Sequence, residues 1–526
     1  MTLAQSLAMP ATPRKKPAPS AHPKPAAASP SPPKDGRCTT GVEGLDDILN
    51  GGLPQGRLYL VRGAPGVGKT TLALQFLLEG VRLGEVCLYI TLSETKDELE
   101  MVAVSHGWDL KKLHLFELTA VEEQFLGETD TTFFHPSEVE LNRTTKALLA
   151  EVERINPVRV VFDSLSELRL LAETSLRYRR QILLFKQFFS ERKATVLCLD
   201  EVITNQRDLH IESIAHGVIS LYRSTPDYGV SRRILNVQKL RGSKFRDRNH
   251  DMIIRTGGMV AFPRPVASEH NIPFKRESFA SGITELDLLL GGGLDRGTSN
   301  IFMGPPGTGK SNLAIRFVLT AAQRGEKSLM FIFDESIGTL MNRAAQLGMD
   351  LESHVTARLV KIQQIDPAEI SPGEIAYRIR RAVSEDQMRM IVIDSLNGYL
   401  NSMPAEGYLN LQLHEMIAFL NQQGVITIMV LAQQGLVGAT HSKVDLTYLA
   451  DTVVMLRYFE DRGAVKQALS IIKKRSGNHE RSIREIKMGR GGIEVGPPLT
   501  HMQGVLGGVP TIQGSDGTNH PPRGNQ

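Results

Sequence analysis

Gly63-Ala-Pro-Gly66-Val-Gly68-Lys69-Thr70 and Gly304-Pro-Pro-Gly307-Thr-Gly309-Lys310-Ser311 decide how this chain is read. Both fit G-x-x-x-x-G-K-[S/T]. Each follows a short apolar run, Arg57–Arg62 or Thr298–Met303, and opens a helical pattern, from about Thr70 to Leu83 in the first case. That context separates a phosphate-binding loop from a chance run of glycines. The glycines let backbone N–H groups close around phosphate oxygens, and the helix N-terminus adds a favourable dipole. Lys69 and Lys310 are then expected to reach the β- and γ-phosphates of ATP. The Thr70 and Ser311 hydroxyls are expected to ligate Mg2+.

The two loops belong to a repeat. Thr40-Gly-Val-Glu-Gly-Leu-Asp matches Ser281-Gly-Ile-Thr-Glu-Leu-Asp. Gly41 and Gly282 are 241 residues apart, as are Lys69 and Lys310, and Lys239-Leu-Arg241 precedes Lys473-Lys-Arg475 by 234. One module of about 230–240 residues therefore occurs twice. Within each copy, unalternated apolar runs are separated by amphipathic stretches. Val86–Thr91 and Val158–Phe162 are further strands of copy one, and Ser328–Phe333, Met390–Ile393 and Val425–Leu431 are strands of copy two. This pattern predicts an α/β fold with a parallel sheet covered by helices on both faces, twice. The expected organisation is a Pro/Ala-rich disordered tail over 1–36, modules over 37–262 and 263–503, and a flexible Gly-rich tail over 504–526.

Composition narrows the class. The chain has 526 residues, 61 basic and 57 acidic, for a net charge of +4. Residues 1–37 hold six of those bases and one acid, which leaves 55 bases against 56 acids elsewhere. A near-neutral body gives no electrostatic footprint for nucleic acid, and none is expected as a partner. Three cysteines, Cys38, Cys87 and Cys198, exclude a disulfide framework or a four-cysteine zinc site. No apolar run approaches the roughly 18 residues of a membrane span. The N-terminus lacks an apolar leader, so a cytoplasmic protein is expected.

Hydrolysis chemistry needs acids at the ends of strands. Val160-Val-Phe-Asp163-Ser and Ile391-Val-Ile-Asp394-Ser place an aspartate 94 and 84 residues past each loop lysine. These would orient Mg2+, or alternatively cap a following helix. Glu94 and Glu335 each sit 25 residues past their lysine, at the end of the next strand. They are candidates to position the attacking water. A helix-capping role is the alternative, since Thr95-Lys-Asp-Glu98 begins a helical pattern.

Together these features resemble the KaiC family of tandem RecA-like P-loop ATPases, over about residues 37–500. The likeness is carried by the repeat openings, both loops, Leu92-Ser-Glu-Thr95, Phe333-Asp-Glu-Ser336, His106-Gly-Trp-Asp109, both Asp-Ser strands, Lys239-Leu-Arg-Gly-Ser243 and Ile483-Arg-Glu-Ile486. The resemblance implies a double-ring homohexamer with ATP between subunits, and Lys239, Arg241, Lys473 and Arg475 acting in trans on a neighbour's γ-phosphate. Read alone, Lys-x-Arg is only a basic turn. The resemblance also implies autophosphorylation in the second module, at Thr447 and Tyr448, which precede the Asp451-Thr strand. Here the sequence departs from the family's Ser–Thr pair, and Tyr448 carries its oxygen further from the backbone. A Thr–Tyr pair that merely packs before a strand is the alternative.

Two further departures bear on function. The family's adjacent glutamates become Ser93-Glu94 and Asp334-Glu335, so slow hydrolysis is expected in copy one. Phosphoryl transfer assisted by Asp334 and Glu335 is expected in copy two. The Gly-rich C-terminus makes a KaiA-type activator doubtful, while a KaiB-like partner on the first module stays open. The reading is a clock-type or signalling ATPase with Ser/Thr autokinase activity. A nucleotide-gated scaffold is the first alternative. A RecA/RadA-like DNA-dependent ATPase is the second; against it, copy two has no Lys or Arg between Arg389 and Lys443.

Overall fold

A computed structural model describes residues 36–118, 136–202, 209–225, 231–264, 272–401, 409–433, 446–505 and 511–512. Residues 1–35 of the expected N-terminal tail, residues 265–271 and most of the Gly-rich C-terminus lie outside the described residues.

Each module is built on a nine-stranded sheet. In module one the strands are β1 (Leu58–Gly63), β2 (Cys87–Thr91), β3 (His114–Glu117), β4 (Arg159–Asp163), β5 (Thr195–Glu201), β6 (Gly217–Ser224), β7 (Arg232–Leu240), β8 (Asn249–Arg255) and β9 (Gly258–Phe262). Their spatial order is β9-β8-β7-β6-β1-β5-β4-β2-β3. Strands β3 to β6 in that row are mutually parallel, and β7, β8 and β9 add antiparallel pairs. The sheet is thus mostly parallel, with an antiparallel flank that the apolar runs did not announce.

Module two repeats the plan. Its strands are β10 (Ser299–Gly304), β11 (Lys327–Ile332), β12 (Val360–Gln364), β13 (Met388–Asp394), β14 (Ile426–Ala432), β15 (Thr452–Asp461), β16 (Ala464–Lys474), β17 (Arg484–Gly489) and β18 (Gly492–Pro498). The order is β12-β11-β13-β14-β10-β15-β16-β17-β18, antiparallel from β15 outward.

The continuous apolar runs are explained by burial on both faces. Along β1, Tyr59 and Val61 join one core beneath the helix α1 (Lys69–Arg82), while Leu58 and Leu60 join another beneath Ser175–Glu191. In β13, Met390 and Val392 alternate with Ile391 and Ile393 in the same way. With side chains pointing alternately up and down, a strand buried on both faces must be apolar at every position.

One buried charge ties module one together. Arg159, at the start of β4, is fully buried. Its guanidinium donates to Thr39 O at 2.6 Å and to Phe76 O at 2.9 Å, pairs with Glu85, and lies over the Phe76 ring. It joins the opening segment, α1 and the loop before β2. Glycine is required at position 80, because a Cβ there would meet Arg159 Cδ at 2.7 Å.

The modules meet through helix Pro372–Ser384 of module two. Tyr377 stacks on Phe262 at 5.4 Å, Arg380 pairs with Asp47 at 2.7 Å, and Arg381 pairs with Glu43 at 3.1 Å.

Arg159→Ala strips a buried pair of its cation and leaves the Thr39 and Phe76 carbonyls unpaired. A loss of about 3–5 kcal/mol in module-one stability is expected. Urea unfolding should show it as a lower first midpoint, while Arg154→Ala, an exposed i,i+3 partner of Glu151, stays within about 0.5 kcal/mol of the parent.

Candidate nucleotide sites

Parallel pairing brings the ends of separate strands together. In module one, Gly63 lies beside Glu201, and Thr91 beside Asp163. The phosphate loop, Asp163 and Glu94 therefore share the C-terminal edge of the sheet, where open α/β sheets hold their ligands. Gly68 caps α1 at φ 114° and Gly309 caps Lys310–Gln323 at φ 91°, a left-handed backbone that other residues resist. A Cβ at either position would also strike the flank, at Ile254 or Met488.

Lys69 is buried and donates to Gly63 O at 2.9 Å and Ala64 O at 3.2 Å, with Glu201 3.9 Å away. Burial lowers its pKa, opposed by Glu201, Asp163, Asp200 and Glu94. Lys310 donates to Pro305 O at 2.6 Å, and burial pushes it down to about 8, opposed by Asp394. Both ammonium groups fold back on their own loops, where a triphosphate offers stronger acceptors.

Asp163 ends β4 almost fully buried, accepting from Thr70 Oγ1 at 3.4 Å and from Tyr89 OH at 2.5 Å. Asp394 occupies the same place in module two, facing the Ser311 hydroxyl. Burial raises both carboxyls above their usual range. Asp163 does not cap the next helix, since Ser164 holds the N-cap position of Leu165–Ala172. The Asp163–Ser164 and Asp394–Ser395 peptides are both cis. Asp394 Oδ2 is buried without a hydrogen-bond partner, an arrangement that a divalent cation beside Ser311 would satisfy.

The glutamates differ between modules. Glu94 does not cap: Thr95 does, in a reciprocal box with Glu98. Its backbone is pinned by Thr91, whose hydroxyl donates to Glu94 O at 2.6 Å and accepts from Glu94 N at 2.9 Å. Its Oε2 is buried and unpartnered. Burial, reinforced by Asp163 and Glu98 against Lys69, pushes its pKa up to about 7. In module two Ser336 is the cap, Asp334 accepts from Ser395 Oγ, and Glu335 pairs with Arg343 at 2.5 Å.

The remaining candidates stand at the opposite edge. Leu240 pairs with Gly217, which runs beside Tyr59, four residues before Gly63. Lys239 and Arg241 thus lie about 13 Å along the sheet from their own loop, at roughly 3.3 Å per residue. Lys239 Nζ donates to Glu212 O at 2.6 Å, and Arg241 Nη2 to Ser213 O at 2.8 Å. In module two, Lys473 pairs with Val453, itself beside Ile301. Lys473 Nζ donates to Thr447 O and Arg475 Nη2 to Tyr448 O, each at 2.8 Å. Thr447 is half-buried and Tyr448 exposed, in the turn before β15.

Other readings resolve simply. Cys38, Cys87 and Cys198 are buried, with thiols pushed up by burial. Trp108 packs on His106, and His216 stands edge-on to Tyr59. In Arg177-Tyr-Arg-Arg180 the tyrosine is buried and Arg179 donates to Ser213 Oγ. Among the described residues no helix is long and apolar enough to cross a membrane. Tyr89, Ser395 and Arg343 were not singled out from the sequence. Setting the copies side by side exposes two of them, since Met330 stands opposite Tyr89 and Val102 opposite Arg343.

Fold and sites define a tandem P-loop nucleotide-binding protein. The family profile described as "ATPase: KaiC" matches residues 38–266 and again 279–500, so the chain belongs to the KaiC ATPase family. It is similar to the circadian clock oscillator protein KaiC of Synechococcus elongatus, 26% identical over 486 residues, which cover 90% of this chain and 91% of that one. It is also 26% identical over 471 residues to the circadian clock protein KaiC2 of a Synechocystis species, covering 87% of this chain and 81% of the relative.

A base works in its ionised form, so if Glu94 is the base, its pKa of about 7 predicts that module-one turnover rises with pH through about 7 and levels off above it. Phosphate release by the Lys310→Ala chain between pH 5.5 and 8.5 measures this. Glu94→Gln should remove the rise and cut the plateau by about a hundredfold.

Proposed function

We propose that both modules hydrolyse ATP at subunit interfaces of a homohexamer and that module two also phosphorylates itself, as a clock-type or signalling ATPase and Ser/Thr autokinase. The observation that carries this reading is the separation of each Lys-x-Arg pair from its own phosphate loop by most of the strand length. A chain on its own cannot bring these cations to its own triphosphate; a neighbouring chain in a ring can.

Lys69 and Lys310 bind the β- and γ-phosphates, with Gly63, Gly66, Gly68, Gly304, Gly307 and Gly309 shaping the loops. Thr70 with Asp163, and Ser311 with Asp394, hold Mg2+, which neutralises phosphate charge when bound. In module one Glu94 accepts a proton from the attacking water. Lys239 and Arg241 of a neighbour stabilise charge on the transferring group, as Lys473 and Arg475 do in module two. There the nucleophile is water or the Thr447 hydroxyl, with Asp334 and Glu335 orienting it. Tyr448 is the second acceptor. Thr447 and Tyr448 sit on the carbonyls that Lys473 and Arg475 grip, so an acceptor hydroxyl and the trans cations approach a neighbour's nucleotide together. The working units are residues 37–262 and 263–503. A KaiB-like partner would engage the first module, and neither a KaiA-type activator nor nucleic acid is needed.

Peptide mass spectrometry after incubation with Mg-ATP tests the autokinase. Phosphate is expected on Thr447 or Tyr448 and should vanish in Lys310→Ala. Mixing that chain with a Thr447→Ala/Tyr448→Phe chain should restore phosphate on the Lys310→Ala polypeptide, because transfer runs between neighbours. Intact turnover without any phosphopeptide would leave an ATPase or nucleotide-gated scaffold.

A further inference from the structure

The same fold twice in one chain supplies its own control: a side chain present in one module and missing from the other marks a difference in use. Eight residues after its candidate base, module two carries Arg343 and module one Val102. Both stand on the helix that follows the base, Ile337–Gln346 and Lys96–His106. Arg343 grips on two sides. Its Nη2 pairs with Glu335 Oε1 at 2.5 Å, and its Nη1 bonds Asn312 Oδ1, the side chain next to the Ser311 hydroxyl. In module one Asn312 is replaced by Thr71.

The two glutamates consequently face different surroundings. Glu94 keeps a buried oxygen without a hydrogen-bond partner. Glu335 instead carries an ion pair with Arg343. Arg343, tied also to Asn312, holds the Glu335 carboxylate. Asp334 accepts a hydrogen bond from Ser395 Oγ.

We propose that Arg343 latches Glu335 in an ion pair, so that ATP bound to module two is shielded from water attack until the pair opens. This rests on the reading of Glu335 as the water-positioning group. With the latch open, Glu335 accepts a proton from water as the water oxygen bonds to Pγ. The bond from Pγ to the bridging oxygen breaks, releasing ADP and inorganic phosphate. With the latch closed, the γ-phosphoryl group is kept for a protein hydroxyl. Arg343 is a positioning residue, since it acts through Glu335.

The test uses the full chain carrying Lys69→Ala, whose phosphate release at saturating Mg-ATP reports module two. Arg343→Met should raise kcat about tenfold with KM for ATP within about twofold. Arg343→Lys, which keeps a cation, should remain near the parent. Adding Glu335→Gln to Arg343→Met should return the rate to the parent level or below. A rate in Arg343→Met at or below the parent overturns the latch, as does a gain that survives Glu335→Gln. Binding of a fluorescent ATP analogue reports folding. Should Arg343→Met lose it, Asn312→Ala carries the test by freeing the other side of the clamp: a rise supports the latch and its absence overturns it. Failure of the ATPase reading looks different, because the parent would then show no phosphate release that depends on Lys310.

Discussion

Everything at the two sites depends on in-register parallel pairing at the centre of each sheet. Hydrogen bonding β1 to β5 and β4 to β2 sets Gly63 beside Glu201 and Asp163 beside Thr91. A slip of one residue would turn each strand's side chains to the wrong face and move the aspartate off the loop hydroxyl. The two-sided apolar core makes such a slip costly. It holds Thr70 within reach of Asp163, and it holds the lysine over its loop before any nucleotide arrives. Arg159 secures the same geometry from the other end, by fixing where α1 and the opening segment meet β4.

Much of this was legible in the sequence, and the reasons are physical. The loops could be read because backbone wrapped around phosphate tolerates few residue types. The parallel strands could be read because burial on both faces demands unbroken apolar runs. Thr95-x-x-Glu98 carried its capping signal openly, and the structure gives the cap to Thr95, leaving Glu94 free for chemistry. The antiparallel flank was not legible. Arg232–Leu240 has partly exposed positions, and its pairing with β6 shifts register between Val218 and Ile219, which blurs the two-residue alternation. Tyr89 and Arg343 were missed for another reason. Their partners, Asp163 and Glu335, lie on separate elements, and only the fold shows which side chains come within bonding distance.

The structure also changes how the two copies compare. From residue identity, losing one acid at Ser93 suggested the weaker hydrolytic site in module one. Geometry adds a second difference: Glu94 has its backbone pinned by Thr91 and one oxygen buried without a partner, whereas both acids of module two hold partners in Ser395 and Arg343. Counting carboxylates leaves out the partners that each carboxylate already holds.

The placement of phosphate loop and basic pair on opposite edges has a genetic consequence. In a ring assembled across those edges, a defective loop and a defective basic pair would damage different nucleotides, one in its own chain's site and one in the next. Two such defective chains, each inactive alone, would regain one working interface when mixed. Dilution below the assembly concentration would silence even an intact chain.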